Sequence, residues 1–409
     1  MNRKLTYILS VFLIAIIMVT SLPFGGSFMA RADYDGKNHS DSYPVSDVTD
    51  LDKIYYIFNA YRALKGIDPT QSQVLMWKSR FESSGNAEEF YRALILENDF
   101  NTYFDNLTSE EQVIALYQGL LEIEPEDKIL NIFSQSDKLN ILGLVDFLID
   151  SDDFAANAVS HGICPRKSGV INYVGDDGYY FSGGILIGGW RRINDKRFYF
   201  DPDDHGKMVK GWKYIDGYHY YFDESTGELI QDTDEIIGPQ DEYYLTVNCE
   251  TNVVMVYAWS EETEAFDIPV KVFVCSTGRD YTPTVQGTFT VHRLARWREL
   301  QGEVWGQYCS RVWGNYFFHS ICYWGSYSTG MDVNAYNNLG TSVSHGCIRL
   351  TVASAKWIYD NCSGSTVEIY YADEQDPFDT PVLPEPIILY NRTGADPSDP
   401  NINPADYGY

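Results

Sequence analysis

Positive charge is scarce in this sequence. Its 409 residues include 30 Lys and Arg against 58 Asp and Glu, which gives a formal net charge of -28 at pH 7. No long cluster of Lys and Arg interrupts this excess of acid. Proteins that bind nucleic acids neutralise phosphates with clustered cations. The composition therefore argues against DNA or RNA as a partner.

Cysteine is also scarce, with seven residues in the whole chain. This density is too low for a disulfide-rich scaffold, and an odd number leaves at least one thiol outside any intramolecular pair. The remaining six could pair in about fifteen ways, and the sequence does not choose among them.

One long apolar run stands near the N-terminus. Residues 5–22 are uncharged, follow two cations and precede the small-residue site Ala30-Arg31-Ala32. This order is typical of an export signal, although the run is also long enough for an uncleaved membrane anchor. We expect cleavage before Asp33. With either outcome the rest of the chain lies outside the cytoplasm, in the cell wall or secreted.

Aromatic residues are abundant, since 32 Tyr, 21 Phe and 9 Trp make up 15% of the chain. A chain of this length exceeds a single core, and at roughly 150 residues per domain we expect two to four domains. Changes in pattern divide the chain into six segments. They are a signal or anchor (1–32), a linker (33–48), a duplicated all-α module (49–156), short aromatic β-hairpin repeats (168–235), a mostly-β domain (239–373) and a Pro-rich acidic tail (374–409).

The segment "SEEQVIALYQGLL" predicts an amphipathic helix, because its apolar residues recur at helical spacing. Ser109 and Gln112 have the spacing of a capping box. Tyr, Leu and Pro at 61, 64 and 69 recur 56 positions later, which indicates an internal duplication. Residues 46–156 resemble an uncharacterised helical module of exported bacterial proteins, and this resemblance implies no chemistry.

Between residues 168 and 235 short aromatic strands alternate with Gly and Asp turns, as in "DDGYYFSGG", "DKRFYFDPD" and "GYHYYFDES". These are hairpin repeats of roughly twenty residues, and units of this size build a core by stacking as a solenoid. They resemble the choline- and glucan-binding repeats of Gram-positive surface proteins. The resemblance implies aromatic cages or platforms for choline or a cell-wall glycan. The candidate rings are Trp190, Tyr199, Trp212 and Tyr221; the alternative is that they only fill the spine of the repeats.

Past Pro239 apolar and polar residues alternate as in β-strands, for example in "YYLTVN", "NVVMVYAW" and "TVEIYY". One helix interrupts this pattern, because apolar residues after Thr351 lie at helical spacing and Gly364 follows at their end. We therefore predict a mostly-β domain with one helix.

The segment "SVSHGCIRL" at 342–350 places Cys347 two residues after His345. A nucleophilic thiol needs a nearby histidine, and His319 in "YFFHS" is a second candidate. In an extended segment the side chains of 345 and 347 point to the same face. Gly346 leaves room for a substrate carbonyl to approach the backbone, and Arg349 could clamp a substrate carboxylate.

"TPTVQGTF", His319 and "SHGCIRL" together resemble the L,D-transpeptidase catalytic domain of bacterial peptidoglycan enzymes, over residues 240–372. The resemblance implies that Cys347 is the nucleophile and that it forms a thioester with the third residue of a stem tetrapeptide, releasing D-alanine. An acceptor amine then gives a 3-3 cross-link. The resemblance also implies that His319 is the base and that the backbone of Ser320 orients it.

His345 and Gly346 would line the site, with Ser344 and Arg349 among the residues that bind substrate. In this sequence 24 residues separate His319 from Ser344, more than in most of the family. The surplus contains several glycines and is predicted to form a surface loop. His292 is a poorer candidate base, because "TFTVH" is typical of an ordinary strand end.

Trp305, Tyr308 and Trp313 precede His319 and could form a lid that contacts substrate, or pack in the interior, which we favour. A zinc site of His319, His345 and Cys347 would lack a second cysteine pair or a carboxylate at ligand spacing. The mechanism requires no cofactor and no metal. The partners expected are peptidoglycan stem peptides, with a membrane involved only through an uncleaved N-terminus.

Two other functions stay open at this point. Water could resolve the thioester, which would make the protein an L,D-carboxypeptidase. Alternatively, the catalytic domain could be a relic, so that wall binding by the aromatic repeats would be the whole function.

Overall fold

The computed structural model describes residues 42–45, 48–133, 140–373, 376–388 and 394–407. The predicted export signal and most of the predicted linker lie outside these residues. The chain divides into two compact units, one ending at Val209 and the other beginning at Lys210. In the described ranges, no helix has the length and apolar character needed to cross a membrane.

The first unit begins with helices, as the all-α prediction for 49–156 requires. Its core is largely aromatic: Trp77 and Phe81 pack around Phe90, with ring centroids 4.9 and 5.4 Å away, and Tyr56 and Tyr91 extend the cluster. The helices are α1 (Asp50–Lys65), α2 (Gln71–Phe81), α3 (Ala87–Ile95), α4 (Asn98–Phe104), α5 (Ser109–Leu121), α6 (Asp127–Phe133), α7 (Ile141–Ile149) and α8 (Asp152–Ser160).

Helix α5 coincides with the predicted amphipathic segment, but its capping box lies one residue earlier than predicted. Thr108 has extended backbone angles, and its side chain accepts a hydrogen bond from the Glu111 backbone N–H while Glu111 bonds back to the cap. Ser109 is therefore already inside the helix, and the prediction of a box from Ser109 to Gln112 was wrong. Thr108 and Glu111 have the same three-residue spacing, so spacing alone did not decide between the two pairs.

The first unit also contains β1 (Ser42–Pro44), β2 (Ile171–Val174), β3 (Asp177–Ser182), β4 (Ile185–Ile193), β5 (Lys196–Asp201) and β6 (Lys207–Met208). Their order in the sheet is β1-β4-β5-β6-β3-β2. Strand β1 pairs with the aromatic hairpins, Tyr43 lying opposite Gly188. The sequence predicted a linker over residues 33–48. Residues 42–44 instead form a strand of this sheet, so the prediction was wrong for them.

The remaining hairpin, β7 (Gly211–Ile215) and β8 (Tyr218–Phe222), belongs to the second unit. It is bound there by a ring stack of Tyr218 on Tyr257 at 5.8 Å and by a His219–Asp267 contact of 2.9 Å. The predicted repeat domain is thus divided between the two units. A single solenoid stack of these hairpins is not confirmed.

The second unit carries two further sheets, and the mostly-β prediction is confirmed. One has the order β11-β10-β9-β17-β12 and the other β13-β14-β15-β16. The strands are β9 (Tyr244–Asn248), β10 (Val253–Ser260), β11 (Ala265–Val274), β12 (Gly287–Thr290), β13 (His292–Leu300), β14 (Val304–Trp313), β15 (Tyr316–Ser320), β16 (Ile348–Leu350) and β17 (Thr366–Tyr370).

Helix α11 (Val352–Asn361) follows β16 directly, as predicted from the spacing after Thr351. The Thr351 hydroxyl caps it by accepting from the Ser354 N–H, and Val352, Ala355 and Ile358 are fully buried against the sheets. Two short helices, α9 (Asp234–Ile237) and α10 (Val333–Asn337), were not predicted.

Two predicted surface segments instead pack into this unit. Residues 321–341 include α10 and bury Tyr323 and Met331, which the run of glycines and polar residues concealed. In the predicted tail, Asp396 and Asp399 are almost fully buried and hydrogen-bond to Val352 N and the Gln307 amide at 2.8 and 3.0 Å. Residues 394–407 are therefore an ordered part of the unit, which acidic composition did not reveal. We call residues 394–401 the strap.

Candidate active site

The strand pair β15–β16 brings the predicted catalytic residues together. It is parallel, with Phe318 opposite Ile348 and His319 opposite Arg349. Phe318 and Ile348 are fully buried in the core. Because side chains alternate along a strand, His319, Arg349 and Cys347, which directly precedes β16, share the opposite face.

A cavity of about 470 Å³ opens on this face. Four predicted residues line it: His319, His345, Cys347 and Arg349. Its other lining residues are Arg298, Glu299, Leu300, Gln301, Val304, Asn315, Phe317 and Cys322. We call it the catalytic cavity. Among the described residues no three His, Cys, Asp or Glu side chains are grouped so that they could hold a metal ion.

The His319 ring is held in one orientation from two sides. Its Nδ1 lies 2.5 Å from the carbonyl oxygen of Ser320. A carbonyl only accepts, so Nδ1 carries the hydrogen and Nε2 keeps its lone pair. On the other side, a Cβ added at Gly306 would stand 3.0 Å from Nδ1 and push the ring by a few tenths of an ångström, so the absence of a side chain at Gly306 makes room for the ring. The Ser320 hydroxyl, in turn, accepts from the Gln307 N–H at 2.9 Å.

Burial keeps both reacting groups neutral near pH 7. It lowers the pKa of His319 to about 3, and the charge of Arg349 acts in the same direction. Burial also raises the pKa of the Cys347 thiol to about 11, although a backbone hydrogen bond from Phe317 and the charge of Arg349 both act to lower it. The thiol donates a weak hydrogen bond to the Asn315 carbonyl, with 3.6 Å between sulfur and oxygen.

Ser344 fixes the loop that carries Cys347. Its hydroxyl donates to the Cys347 carbonyl at 2.6 Å and accepts from the Gly346 N–H at 2.9 Å. The side chain is fully buried and does not line the catalytic cavity, so it braces the loop where we had predicted a contact to substrate. Gly346 has φ of +110°, and a Cβ there would collide with the Tyr316 ring at 2.5 Å.

Two arginines give the catalytic cavity a positive wall in an acidic chain. The Nε of Arg349 is buried and has no hydrogen-bond partner among the described residues. Arg298 lies over the ring of Phe317, 5.0 Å from its centroid. The cavity lining contains one carboxylate, that of Glu299. An anionic group of a ligand would be attracted to this wall.

Tyr308 and Trp313, candidates for substrate contact or for interior packing, both lie outside the lining of the catalytic cavity. Tyr308 is buried, stacks edge-on against Tyr359 at 5.6 Å and accepts a hydrogen bond from the Asn401 amide. Its φ is 51°, and the β13–β14 register shifts between Arg293 and Ala295, so regular alternation of faces does not hold around this side chain. Trp313 is exposed and lines a second cavity, so the interior packing that we favoured for it is wrong.

The sequence did not point to Arg298, Asn315 or Phe317. Phe317 stands two residues before His319 in one strand, so strand alternation could have placed it beside the base. Arg298 reaches the catalytic cavity through the register of the β13–β14 hairpin, with Gly306 opposite it, and no local sequence signal reports that register.

The aromatic pairs of the repeats differ in accessibility. Trp190 is 4% exposed, packs against Tyr199 at 5.2 Å and has Arg197 over its ring at 4.4 Å. In the second unit Trp212 is 43% exposed and lies 5.1 Å from Tyr221. An added cation would find the Trp190 ring already covered and the Trp212 ring open.

Two segments of the chain match known protein families. Residues 242–369 match the L,D-transpeptidase catalytic domain. Residues 187–233 match the choline-binding repeat. The first match includes every residue that lines the catalytic cavity. The second match begins in the first unit and ends in the second.

The chain is also similar to individual proteins and solved structures. YciB of Bacillus subtilis, named as a candidate L,D-transpeptidase, is 33% identical over 101 residues, which cover 22% of this chain and 50% of YciB. A fused Zn-dependent amidase/peptidase/peptidoglycan-binding domain-containing protein of Clostridium acetobutylicum is 31% identical, covers 32% of this chain and 52% of that one, and has a TM-score of 0.25. An L,D-transpeptidase of Stackebrandtia nassauensis is 18% identical over 32% of this chain and 58% of that one, with a TM-score of 0.24.

The chain spans about half the length of the first two relatives. For residues 242–369, the family match supports peptidoglycan L,D-transpeptidase chemistry in general.

Proposed function

We propose that this protein is an exported peptidoglycan L,D-transpeptidase that forms 3-3 cross-links through a thioester at Cys347. The observation that carries the proposal is the shared face of Cys347, His319 and Arg349 on one cavity wall, within the segment that matches the family. Nucleophile, base and anion-binding group then stand around a single substrate position.

The first half of the reaction begins with a neutral thiol. As the Cys347 sulfur attacks the carbonyl carbon of the third stem residue, its proton passes to Nε2 of His319. The Gly346 N–H is engaged by Ser344, so the backbone N–H groups of His345 and Cys347 are the candidates to hold the oxyanion. The amine of D-alanine leaves with the proton from Nε2, and the thioester remains.

The second half repeats this proton transfer in the opposite sense. An acceptor amine from a neighbouring stem peptide attacks the thioester carbonyl and gives a proton to Nε2 of His319. Collapse expels the Cys347 thiolate, which recovers the proton. The Nδ1–Ser320 bond keeps Nε2 free to accept a proton in both halves.

We infer that the positive wall selects stem peptides with a free carboxylate on the third residue. Arg349 has a buried Nε with an unused donor, and Arg298 stands at the rim of the same cavity. Donor peptides in which that carboxylate is amidated, or in which the third residue is lysine and has no side-chain carboxylate, are expected to have a higher KM. A tenfold change corresponds to about 1.4 kcal/mol.

We further propose that the repeats hold the enzyme on the cell wall through choline or a glycan, with Trp212 and Tyr221 as the ligand site. The match to the choline-binding repeat and the 43% exposure of Trp212 support this assignment. Trp190 and Tyr199 would have a structural role, because Arg197 covers the Trp190 ring.

The helical region is proposed to be two copies of one module. Helices α1 and α5 both end in a left-handed residue, Gly66 with φ of 68° and Glu122 with φ of 57°, 56 positions apart. Helices α2 and α6 begin at Gln71 and Asp127, again 56 positions apart. No chemistry is assigned to this module.

The test is mass spectrometry of the full chain and its Cys347→Ala variant after incubation with disaccharide-tetrapeptide. A Cys347-dependent dimer that has lost one D-alanine is expected. Monomeric tripeptide without dimer would establish an L,D-carboxypeptidase. Absence of product and of any thioester adduct would leave a wall-binding protein.

A further inference from the structure

A second cavity, of about 500 Å³, lies on the same unit. It is lined by Thr288, Phe289, Thr290, His292, Arg311, Val312, Trp313 and Gly314. We call it the aromatic groove. Trp313 is 60% exposed there, an unusual position for a ring of this size.

Residues of the aromatic groove neighbour residues of the catalytic cavity across strands β14 and β15. Arg311 lies opposite Phe317 across the β14–β15 ladder, and directly opposed residues point to the same face. Phe317 lines the catalytic cavity. The register shifts between Arg311 and Trp313, so Trp313 lies opposite Tyr316, whose ring stands beside Gly346 and therefore near Cys347. A ligand that occupies the catalytic cavity can therefore extend into the groove.

The groove presents an apolar floor with a polar rim. Trp313 and Phe289 form one tilted aromatic pair, with ring centroids 5.7 Å apart. Around them stand the exposed side chains of Thr288, Thr290 and Arg311. A sugar ring offers the complementary surface: a face of C–H groups with slight positive charge for the aromatic faces, and a rim of hydroxyls for the polar donors and acceptors.

The lining also argues against a cationic occupant. None of the groove residues, all in the described part of the chain, is acidic, and Arg311 adds a positive charge. The protonated amine of an acceptor peptide would be repelled there. A neutral, hydroxyl-rich ligand fits this composition best.

We propose that the aromatic groove binds the sugar rings of the glycan strand that carries the donor stem peptide. This inference rests on the proposed function, since it places the glycan beside the cavity that holds the peptide. Trp313, for which the sequence left open a substrate contact or interior packing, is then a specificity residue that recognises sugar, while the catalytic cavity binds the peptide.

The first experiment measures binding without turnover. Full-length Cys347→Ala protein is titrated calorimetrically with a peptide-free tetrasaccharide of peptidoglycan. Adding Trp313→Ala is expected to weaken binding at this site about tenfold. The matched control is Trp324→Ala, which removes a ring of similar exposure, 64%, that lines neither cavity. Any sugar bound by the repeats contributes equally to the three proteins.

The second experiment measures kcat/KM for disaccharide-tetrapeptide and for the same tetrapeptide without sugar. The ratio of the two values should fall about tenfold in Trp313→Ala and stay at the wild-type value in Trp324→Ala. Circular dichroism confirms that each variant is folded.

Three outcomes would overturn the proposal: no tetrasaccharide binding at all, equal binding by Trp313→Ala and Trp324→Ala, or an unchanged kcat/KM ratio in Trp313→Ala. If no donor is turned over but Trp313→Ala still loses tetrasaccharide, the groove stands and the proposed transpeptidase activity fails. The two hypotheses are thereby separated.

Discussion

Cys347 and His319 rest as a neutral pair, because burial moves their pKa values to about 11 and about 3. An ion pair of thiolate and imidazolium would need the reverse order of these values. The thiol therefore loses its proton only as it attacks a substrate. Arg349, close to both groups, is positioned so that an anionic ligand screens its charge and raises the basicity of His319.

The alkylation rate of Cys347 by iodoacetamide is expected to rise with pH through the neutral range and to level off only near pH 11. Raising the pH removes the proton from the thiol, and only the thiolate reacts. Mass spectrometry of the modified chain gives the rate, and Cys362, which is fully buried, serves as the internal control. A plateau below pH 8 would show that the site stabilises the thiolate.

Gly306→Ala should lower kcat by up to about tenfold while the chain stays folded. The new Cβ would stand 3.0 Å from Nδ1 of His319 and push the ring by a few tenths of an ångström relative to the Ser320 carbonyl, less than the 1 Å misplacement that costs about a hundredfold. Gly306 acts through His319, so the pH dependence of kcat/KM should shift as well. An unchanged pH profile with reduced kcat would indicate a general structural effect instead.

At the scale of elements, helix α11 directly follows the strand that Cys347 precedes, and the strap supplies part of its N-terminal cap. The Asp396 carboxylate accepts from the Val352 N–H at 2.8 Å and the Ser398 hydroxyl from the Ala353 N–H at 3.1 Å. The first N–H groups of a helix have no partner within the helix, so these bonds satisfy them from a distant segment.

Asp396→Ala is expected to lower the free energy of unfolding of the second unit by about 1–3 kcal/mol, because a buried N–H loses its acceptor. Urea denaturation followed by circular dichroism measures the change. Asp406→Ala, an exposed carboxylate in the same part of the chain, is the matched control and should have little effect. Equal effects of the two substitutions would contradict the capping role.

The two aromatic pairs should respond differently to truncation. Trp212→Ala removes an exposed ring and should reduce retention of the full chain on a choline resin, with little change in thermal stability. Trp190→Ala empties a buried site and should instead cost about 3–5 kcal/mol of stability. Loss of retention with Trp190→Ala at unchanged stability would reverse the assignment.

Sequence patterns predicted elements well where one short stretch carries the whole signal. The helix after Thr351 is an example, since its apolar spacing, cap and stop lie within some twenty residues. Apolar spacing also predicted the helix from Ser109 to Leu121, although its cap lies one residue earlier than predicted. The motif "SHGCIRL" with His319 likewise predicted four residues of the catalytic cavity. The sequence patterns did not predict features that depend on contacts between distant segments. Arg298 and the strap reach their positions through strand register and tertiary contacts that no local pattern encodes.

At the scale of the whole molecule, the chain divides into its two compact units between Val209 and Lys210. This division cuts through the repeats predicted at 168–235 and precedes the predicted start of the catalytic domain at residue 239. The hairpin β7–β8 belongs to the catalytic unit through the His219–Asp267 contact, and the strap completes the same unit from the other side of the sequence. The catalytic domain as predicted, residues 239–373, lacks both.

A fragment of residues 210–409 should therefore unfold cooperatively and at a higher temperature than a fragment of residues 239–375. The shorter one loses the β7–β8 hairpin, the Asp396 cap and the Asp399–Gln307 hydrogen bond. Differential scanning calorimetry of the two fragments tests this. Identical melting temperatures would show that these contacts add nothing to the unit.

The strap also sets an order of events in the life of the chain. Asp396 lies 44 residues after Val352, so during synthesis it emerges after the helix that it caps. A chain that has exposed Cys347 but not residue 396 therefore lacks part of the N-terminal cap of the helix behind the thiol. The support of Cys347 is thus completed only by one of the last segments of the chain to be made.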